Sequence, residues 1–431
     1  MHGQNKFIIK DSLPVAEIPF KLIGNLIIIE VQINGINLNL VFDTGVKQTI
    51  LLNLENKQNK LFTKQQKKLF IGVGNEKKNI EAIKTVDNNI EIGNRISSSN
   101  ADVFLITNAD FSFSERMGVP IYGFIGGELI KNFILEINYK KKKLYFYSPE
   151  TFSYKKLKRY TRIPLQLYRD KPYIQAELKI TKNSEPRRLN LLIDTGNSDP
   201  LWLFQSGSVQ IPENQKRIKD YFGIGLNGDI KGERIKVKSL FLFPRFRLKK
   251  IITGLPDKKY YQELIKGHSF DGIIGGEILK RFKIFFDYKN SSVYLKKRFF
   301  EYYKKYPFNE SGLYLSYEGK IPVKVIKQEK RIFPGSTREN DILIMEELDL
   351  VYEYKFFDRI IVHYVREDSP AYKAGFAVGD IILEINGESV YKYSLNDLEK
   401  KFLYKSKRKL DFLIKRNGLI LHLKMNTEHQ L

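Results

Sequence analysis

The chain contains no cysteine. That removes disulfides, thiolate nucleophiles and cysteine-held metal. Histidine is scarce too. The five residues His2, His268, His363, His422 and His429 are scattered, and no two stand at metal-ligand spacing, so they read as surface or half-buried rings. No apolar run approaches the ~18 residues of a membrane span; the segment from Lys21 to Val31 is short and strand-like. Basic helices and nucleic-acid motifs are also missing, although the formal net charge is +24. A charge of that size attracts nucleic acid, acidic headgroups or acidic peptides. Here the lysines are spread along the whole chain, and the one dense run, Lys140–Lys143, falls between two strand-like segments. A solvated basic surface accounts for them, and nucleic acid is not among the partners expected. Met1–Lys6 lack the composition of a signal peptide and fit the start of a mature chain whose signal was removed, which would make this an exported protein.

What is present is a repeat. Leu191-Leu192-Ile193 reads as a short buried strand, and it delivers Asp194, Thr195 and Gly196. A carboxylate at the end of an apolar strand is costly unless it is hydrogen-bonded or has a task. One Asp-Thr-Gly is a weak signal, expected by chance in roughly one chain in ten of this length. This chain has two, because Leu40-Val41-Phe42 delivers Asp43, Thr44 and Gly45, 151 positions earlier (194 − 43). A second pair accompanies the first. The segment from Gly123 to Tyr145 matches that from Gly272 to Tyr294 without a gap, at 10 of 23 positions. The distance from Asp to this glycine turn is 80 residues in one half (43 to 123) and 78 in the other (194 to 272). Two copies with a period near 150 indicate a duplicated domain, not a solenoid.

The elements around these motifs are short strands. Ile27–Ile33 alternates into Asn34-Gly35, a hairpin signal, and Ile36–Phe42 returns to Asp43. Thr49–Leu54 is a further strand. Leu69–Ile83 reads as a hairpin around Gly72-Val73-Gly74-Asn75, which lacks the third glycine and helix of a phosphate loop. Ile121–Phe133 is a strand, a glycine turn and a short helix, and Ile134–Tyr147 is a hairpin across the lysine run.

Two copies of apolar-apolar-Asp-Thr-Gly, each followed about 80 residues later by apolar-apolar-Gly, resemble the aspartic proteases, most of all the retropepsin-like bacterial members. The resemblance covers roughly residues 14–303. It implies a mainly β, two-lobed acid-protease fold, lobe 1 over 14–150 and lobe 2 over 151–303, both in one chain that works as a monomer. It further implies that Asp43 and Asp194 form the catalytic pair, supported by Thr44, Gly45, Thr195 and Gly196, with the two threonines locking the loops together. The substrate would be a polypeptide, and the chemistry needs no cofactor and no metal. The chain departs from the pattern at Val46 and Asn197, where the family carries Ser, Thr or Ala. A flap tyrosine near Gly72-Val73-Gly74 is also missing.

From Arg298 to Tyr306 the sequence turns basic and aromatic, and Pro307 breaks it. This reads as a linker packing its rings on a neighbouring lobe. Beyond it, Ile360–Val365 is a strand and Ser369–Gly375 a helix with Pro in its first turn and Gly at its end. Gly379–Gly387 is a strand into an Asn-Gly turn. Ser394 with Asp397 forms a capping box for a helix carrying Leu398 and Phe402, and 410–425 is a closing hairpin. Over 360–424 this order looks like a bacterial-type PDZ domain, here 304–426, a small α+β barrel. PDZ domains hold a peptide C-terminus on backbone amides before their second strand. Ser311-Gly312-Leu313-Tyr314-Leu315 resembles that loop, which implies a peptide site from Gly312 to Leu315, walled by Leu398 and Phe402. Residues 319–357 are then an insertion without a functional reading.

Two functions from different classes fit these residues. One is an aspartic endopeptidase with an accessory PDZ domain. The other is a peptide-binding protein on a decayed protease scaffold, with Val46 marking the decay. Retention of both acids favours the first.

Overall fold

The computed structural model describes residues 6–52, 54, 65–70, 80–106, 113–205, 209–225, 228–262, 264–265, 270–334, 344–400 and 407–431. Gly72–Asn75 and Phe402 therefore lie outside the described residues, as do residues 335–343 of the 319–357 insertion.

The chain folds as two equivalent β lobes followed by a PDZ domain. In lobe 1 the strands run in the order Ile96–Ile106, Thr49–Leu52, Gly123–Gly126, Ile36–Asp43, Leu26–Ile33, Ile80–Ile92. In lobe 2 the order is Phe246–Pro256, Leu201–Leu203, Gly272–Ile274, Arg187–Ile193, Lys171–Lys179, Gly228–Leu242. The first and last strands of each series also pair with each other, which closes each sheet into a barrel. Closure removes exposed edges.

Local sequence explains the strand pairing. Asn34 and Gly35 both take positive φ (48° and 85°), the backbone a two-residue hairpin requires. That turn fixes Ile33 opposite Ile36 and Val31 opposite Leu38. Alternation then sends Ile27, Ile29, Val31, Leu38, Leu40 and Phe42 into one core that spans both lobes. Each such side chain contributes roughly 1.5–3 kcal/mol of burial.

The lobes are joined by a third sheet. Ile134–Asn138 of lobe 1 pairs antiparallel with its own repeat, Phe282–Asp287 of lobe 2, with Leu135 opposite Phe286. Each forms a hairpin with the strand that follows it, Lys143–Tyr147 and Ser292–Lys297. The lysine run is the tight turn of the first hairpin.

After lobe 2 the basic, aromatic segment packs back as read from sequence. Tyr302 is buried and donates to the carbonyl of Arg247 at 2.9 Å. Arg281, fully buried, donates to the carbonyls of Glu301, Tyr302 and Lys304 and lies 3.7 Å from the centre of the Tyr306 ring. Its charge is met by Glu277 at 3.0 Å.

The PDZ domain has its own core, around Leu313, Leu315, Val362, Phe412 and Ile414. Ser369 caps the Pro370–Lys373 helix, accepting from the Tyr372 N–H, and Ser394 caps Leu395–Leu398, accepting from the Asp397 N–H. The 319–357 insertion is an arm. Strands Leu313–Pro334 and Ile344–Val365 pair antiparallel along their whole length, to Pro334 opposite Ile344. Sequence shows such an arm only as a break in a known pattern, since nothing in its alternation says how far the strands extend.

Among the described residues no helix is long and apolar enough to cross a membrane.

Candidate active site

Each Asp-Thr-Gly lies where a strand leaves its barrel beside the glycine turn of its own repeat. Gly123–Gly126 runs parallel to Ile36–Asp43 with Gly126 beside Asp43. Gly272–Ile274 runs parallel to Arg187–Ile193, and the Asp194 N–H donates to the Ile274 carbonyl at 2.9 Å. The glycine pairs recur because the backbones nearly touch. A Cβ on Gly126 would stand 1.8 Å from the Asp43 carbonyl oxygen.

The two loops meet across the lobe interface through their threonines. Thr44 Oγ1 donates to the carbonyl of Ile193 at 2.7 Å and accepts from the Thr195 N–H at 3.0 Å. Thr195 Oγ1 mirrors it, donating to the Phe42 carbonyl at 2.7 Å and accepting from the Thr44 N–H at 3.0 Å. Both threonines are fully buried. Only a hydroxyl both donates and accepts at that position.

The same geometry sets the carboxyls face to face. Gly45 N–H donates to Asp43 Oδ1 at 2.6 Å, and Gly196 N–H donates to Asp194 Oδ1 at 2.7 Å. Each glycine also backs onto the opposite acid. A Cβ on Gly45 would come within 2.8 Å of Asp194 Cγ, and one on Gly196 within 2.3 Å of Asp43 Cγ. The two carboxyls are close enough that each acts on the protonation of the other. Burial pushes Asp43 well above the usual carboxyl range, and the charge of Asp194 and its hydrogen bond push it further; the Gly45 amide and Lys171 pull the other way. Asp194 is also raised by burial, but the bond from Asp43 and the Gly196 amide hold it back. Such a pair titrates as a unit and keeps one proton between two oxygens.

Val46 and Asn197 stand at the two departures. Val46 offers its carbonyl to the Gly127 N–H at 2.9 Å, and Asn197 Oδ1 accepts from the Asp199 N–H at 2.9 Å. The Val46 side chain has no donor, and the support for the acids comes from backbone amides, including that of Asn197.

The carboxyls open onto a cleft of about 670 Å³. Lobe 1 lines it with Leu26, Val46 and Phe124, lobe 2 with Trp202, Phe222 and Ile273, and the PDZ domain closes one side with Phe308 and Tyr314. A buried polar chain ties that side to the site. Tyr314 donates to Asp220 at 2.6 Å, Arg366 also reaches Asp220, and Arg234 bridges Asp220 and Asp199 at 2.6 and 3.0 Å. Asp199 in turn accepts from the Trp202 indole. Sequence reading missed this cluster. Its residues are far apart in the chain and share no period.

The expected peptide site of the PDZ domain is placed differently from the simple picture. Leu313 and Leu315 point into the core. The Gly312 N–H already donates to Asn309 Oδ1 at 3.0 Å, and the Leu313 N–H to Ser311 Oγ at 3.1 Å. The two amides expected to cradle a carboxylate are thus used within the loop, because Asn309 and Ser311 fold back over it. The groove between the Leu313–Pro334 strand and the Leu395–Leu398 helix, which carries Leu398, is covered by the Phe113–Met117 helix of lobe 1. Arg116 of that helix donates to the Leu315 carbonyl, the kind of group an added strand would bond.

Residues 361–414 match the PDZ domain family. No curated protein matches the sequence. The fold is similar to the crystal structure of aspartic proteinase from Irpex lacteus, at 11% identity and TM-score 0.38, over 66% of this chain and 97% of that one. It is also similar to the crystal structure of Basic 7S globulin from soybean, at 11% identity and TM-score 0.40, over 66% of this chain and 95% of that one. At these scores neither likeness adds to the geometry above.

Proposed function

We propose that the chain is an aspartic endopeptidase of the pepsin and retropepsin type, with Asp43 and Asp194 as its catalytic pair. One observation carries the reading. Two carboxyls, Asp43 buried and Asp194 half-buried, are delivered by the two copies of one repeat to a single point, where each lies against the glycine of the other's loop and both line one cleft. A structural acid has no use for a second acid against it, since like charges raise each other's cost.

In this reading the ionised member takes a proton from a water bound between the carboxyls. That water attacks the scissile carbonyl carbon while the protonated member donates to the carbonyl oxygen. The tetrahedral diol collapses as a proton passes to the leaving nitrogen, and the C–N bond breaks. The shared proton belongs to the pair as a unit. Activity then needs one proton on the pair. New amino termini, counted on an unfolded polypeptide across pH, should follow a bell, with an acid limb as the pair gains its second proton and an upper limb as it loses its last. A rate that climbs steadily through neutral pH contradicts this assignment.

The PDZ domain holds peptides as an added strand beside Leu313–Leu315, once the Phe113–Met117 helix swings away. The wall it builds along the cleft also favours a second reading, a protein that holds peptides without cutting them. Arg116→Ala removes the contact to the Leu315 carbonyl and should tighten peptide binding several-fold, measured by fluorescence anisotropy on the full chain. With Asn309 and Ser311 occupying the loop amides, a peptide and its C-terminally amidated twin should bind about equally. Unchanged affinity in Arg116→Ala would show that the helix does not guard the groove.

A further inference from the structure

The two lobes differ at one position where their symmetry is otherwise close. In lobe 1, Ile28 stands opposite Val41, and two residues further on the same register brings Leu26 across from Asp43. In lobe 2, Tyr173 stands opposite Leu192, and the same two steps bring Lys171 across from Asp194. Cross-strand partners project to one face of the sheet. Lobe 1 thus places a buried leucine beside its acid, and lobe 2 places an ammonium. The fold does not need a cation there, because the twin site does without one.

The hairpin that carries Lys171 is held firmly. Arg169 and Asp170 form its turn with φ of 51° and 61°. The Asp170 carbonyl packs on Gly127, where a Cβ would stand 2.9 Å away. Asp170 also pairs with Lys47 of lobe 1 at 3.4 Å. Lys171 is therefore at the lobe interface. It is half-buried and is not among the residues that line the cleft.

We infer that Lys171 is a positioning residue of the acid pair: its ammonium, set across the sheet from Asp194, holds the pair in the singly ionised form at lower pH than the two carboxyls reach alone. Its catalytic consequence rests on the protease reading above; its electrostatic one does not. The fields point the same way. Burial is the largest influence on Lys171 and pulls its ammonium below the ordinary lysine range, with Arg169 adding to it, while the charges of Asp43 and Asp194 oppose that pull and hold the proton on. Tyr173, two residues along the same face, feels Asp194, and Tyr288 feels Asp43 and Asp170. Both phenols are held in the neutral form by burial. On the cleft wall Arg234 is engaged with Asp199 and Asp220, and Lys280 with Glu277. Lys171 is the cation that acts on both acids.

The test needs no substrate. The full chain is labelled with 13C at aspartate carboxyls, and the Asp43 and Asp194 signals are assigned by loss in Asp43→Asn and Asp194→Asn. Their titration is then compared in wild type, Lys171→Leu, Lys171→Met and Lys171→Arg. Leucine copies lobe 1, and methionine keeps an unbranched stem should leucine disturb folding. The first ionisation of the pair is expected to move up by about 1 pH unit or more in the two neutral variants, as loss of an adjacent opposite charge implies. It should stay near wild type in Lys171→Arg. Unmoved midpoints in both neutral variants overturn the inference, as does an arginine variant that shifts like leucine. Where the wild type cleaves polypeptide, the acid limb of its rate profile should shift in the same direction. A chain that cleaves nothing while its midpoints still move refutes the protease reading and leaves this one standing.

Discussion

Asp43→Asn and Asp194→Asn each reduce cleavage by about 10²–10⁴-fold, the span over which a positioned acid or base acts, while the chain stays folded. An amide neither shares the proton nor takes one from water. It does keep the oxygen that accepts from the Gly45 or Gly196 N–H, so the loop is not left unsatisfied. Stability separates this from a structural role. Burial raises the carboxyl of Asp43 above its unfolded value, so the folded state binds that proton more tightly than the unfolded state. The contribution of the group to stability is then greatest at low pH and declines as pH rises through its raised value. Removing it by Asp43→Asn should leave the melting temperature near neutral pH unchanged or higher. A structural turn acid behaves in the opposite way, and its loss lowers the melting temperature without a specific loss of rate. Wild-type rates in Asp43→Asn would make the first motif vestigial and require another source for the second acid.

The second large effect is expected at the threonines. Thr44→Val removes a hydroxyl that serves two buried backbone groups of the other lobe, the Ile193 carbonyl and the Thr195 N–H. Each buried group left without a partner costs about 1–3 kcal/mol, so the substitution should cost roughly 2–6 kcal/mol. That is a large part of the ~5–15 kcal/mol that keeps a domain folded. Thr195→Val should cost the same, through the Phe42 carbonyl and the Thr44 N–H. The double variant should cost less than the sum, since the first change already loosens the contact that the second would lose. Thr44→Ser and Thr195→Ser keep the hydroxyl and should recover most of the loss. Denaturant midpoints with unchanged slopes measure all of these. Additive losses below about 0.5 kcal/mol, the level of an ordinary surface change, would mean that the threonines do not bind the lobes together.

Much of the scaffold was readable because its signals are local. Asn34-Gly35 sets a hairpin by backbone conformation alone. The matching segments from Gly123 and from Gly272 place the same turn in both lobes because the same close backbone approach recurs. The pairing of Asp43 with Asp194 was readable only through the repeat, since symmetry says that like positions meet. What sequence did not show lies where symmetry is broken or where surfaces meet. Lys171 stands two residues before Tyr173 in an unremarkable strand, and comparison with Leu26 across the two hairpins is the signal that finds it. Arg116 on Leu315, and Tyr314 and Arg366 on Asp220, join residues from distant parts of the chain. Docking of that kind has no period to read. The pattern of Ser311–Leu315 suggested a peptide loop, but the occupation of its amides by Asn309 and Ser311 depends on side-chain rotamers that the pattern leaves open.

The most direct test of the central claim is digestion of a denatured protein mixture by wild type and by Asp194→Asn at mildly acidic pH, with cut sites read by mass spectrometry. The expected result is a set of internal cleavages with a shared preference around the cut, present with wild type and absent with Asp194→Asn. Identical cut sites and rates from the two proteins, or no internal cuts by a folded wild type across the pH range, would contradict it.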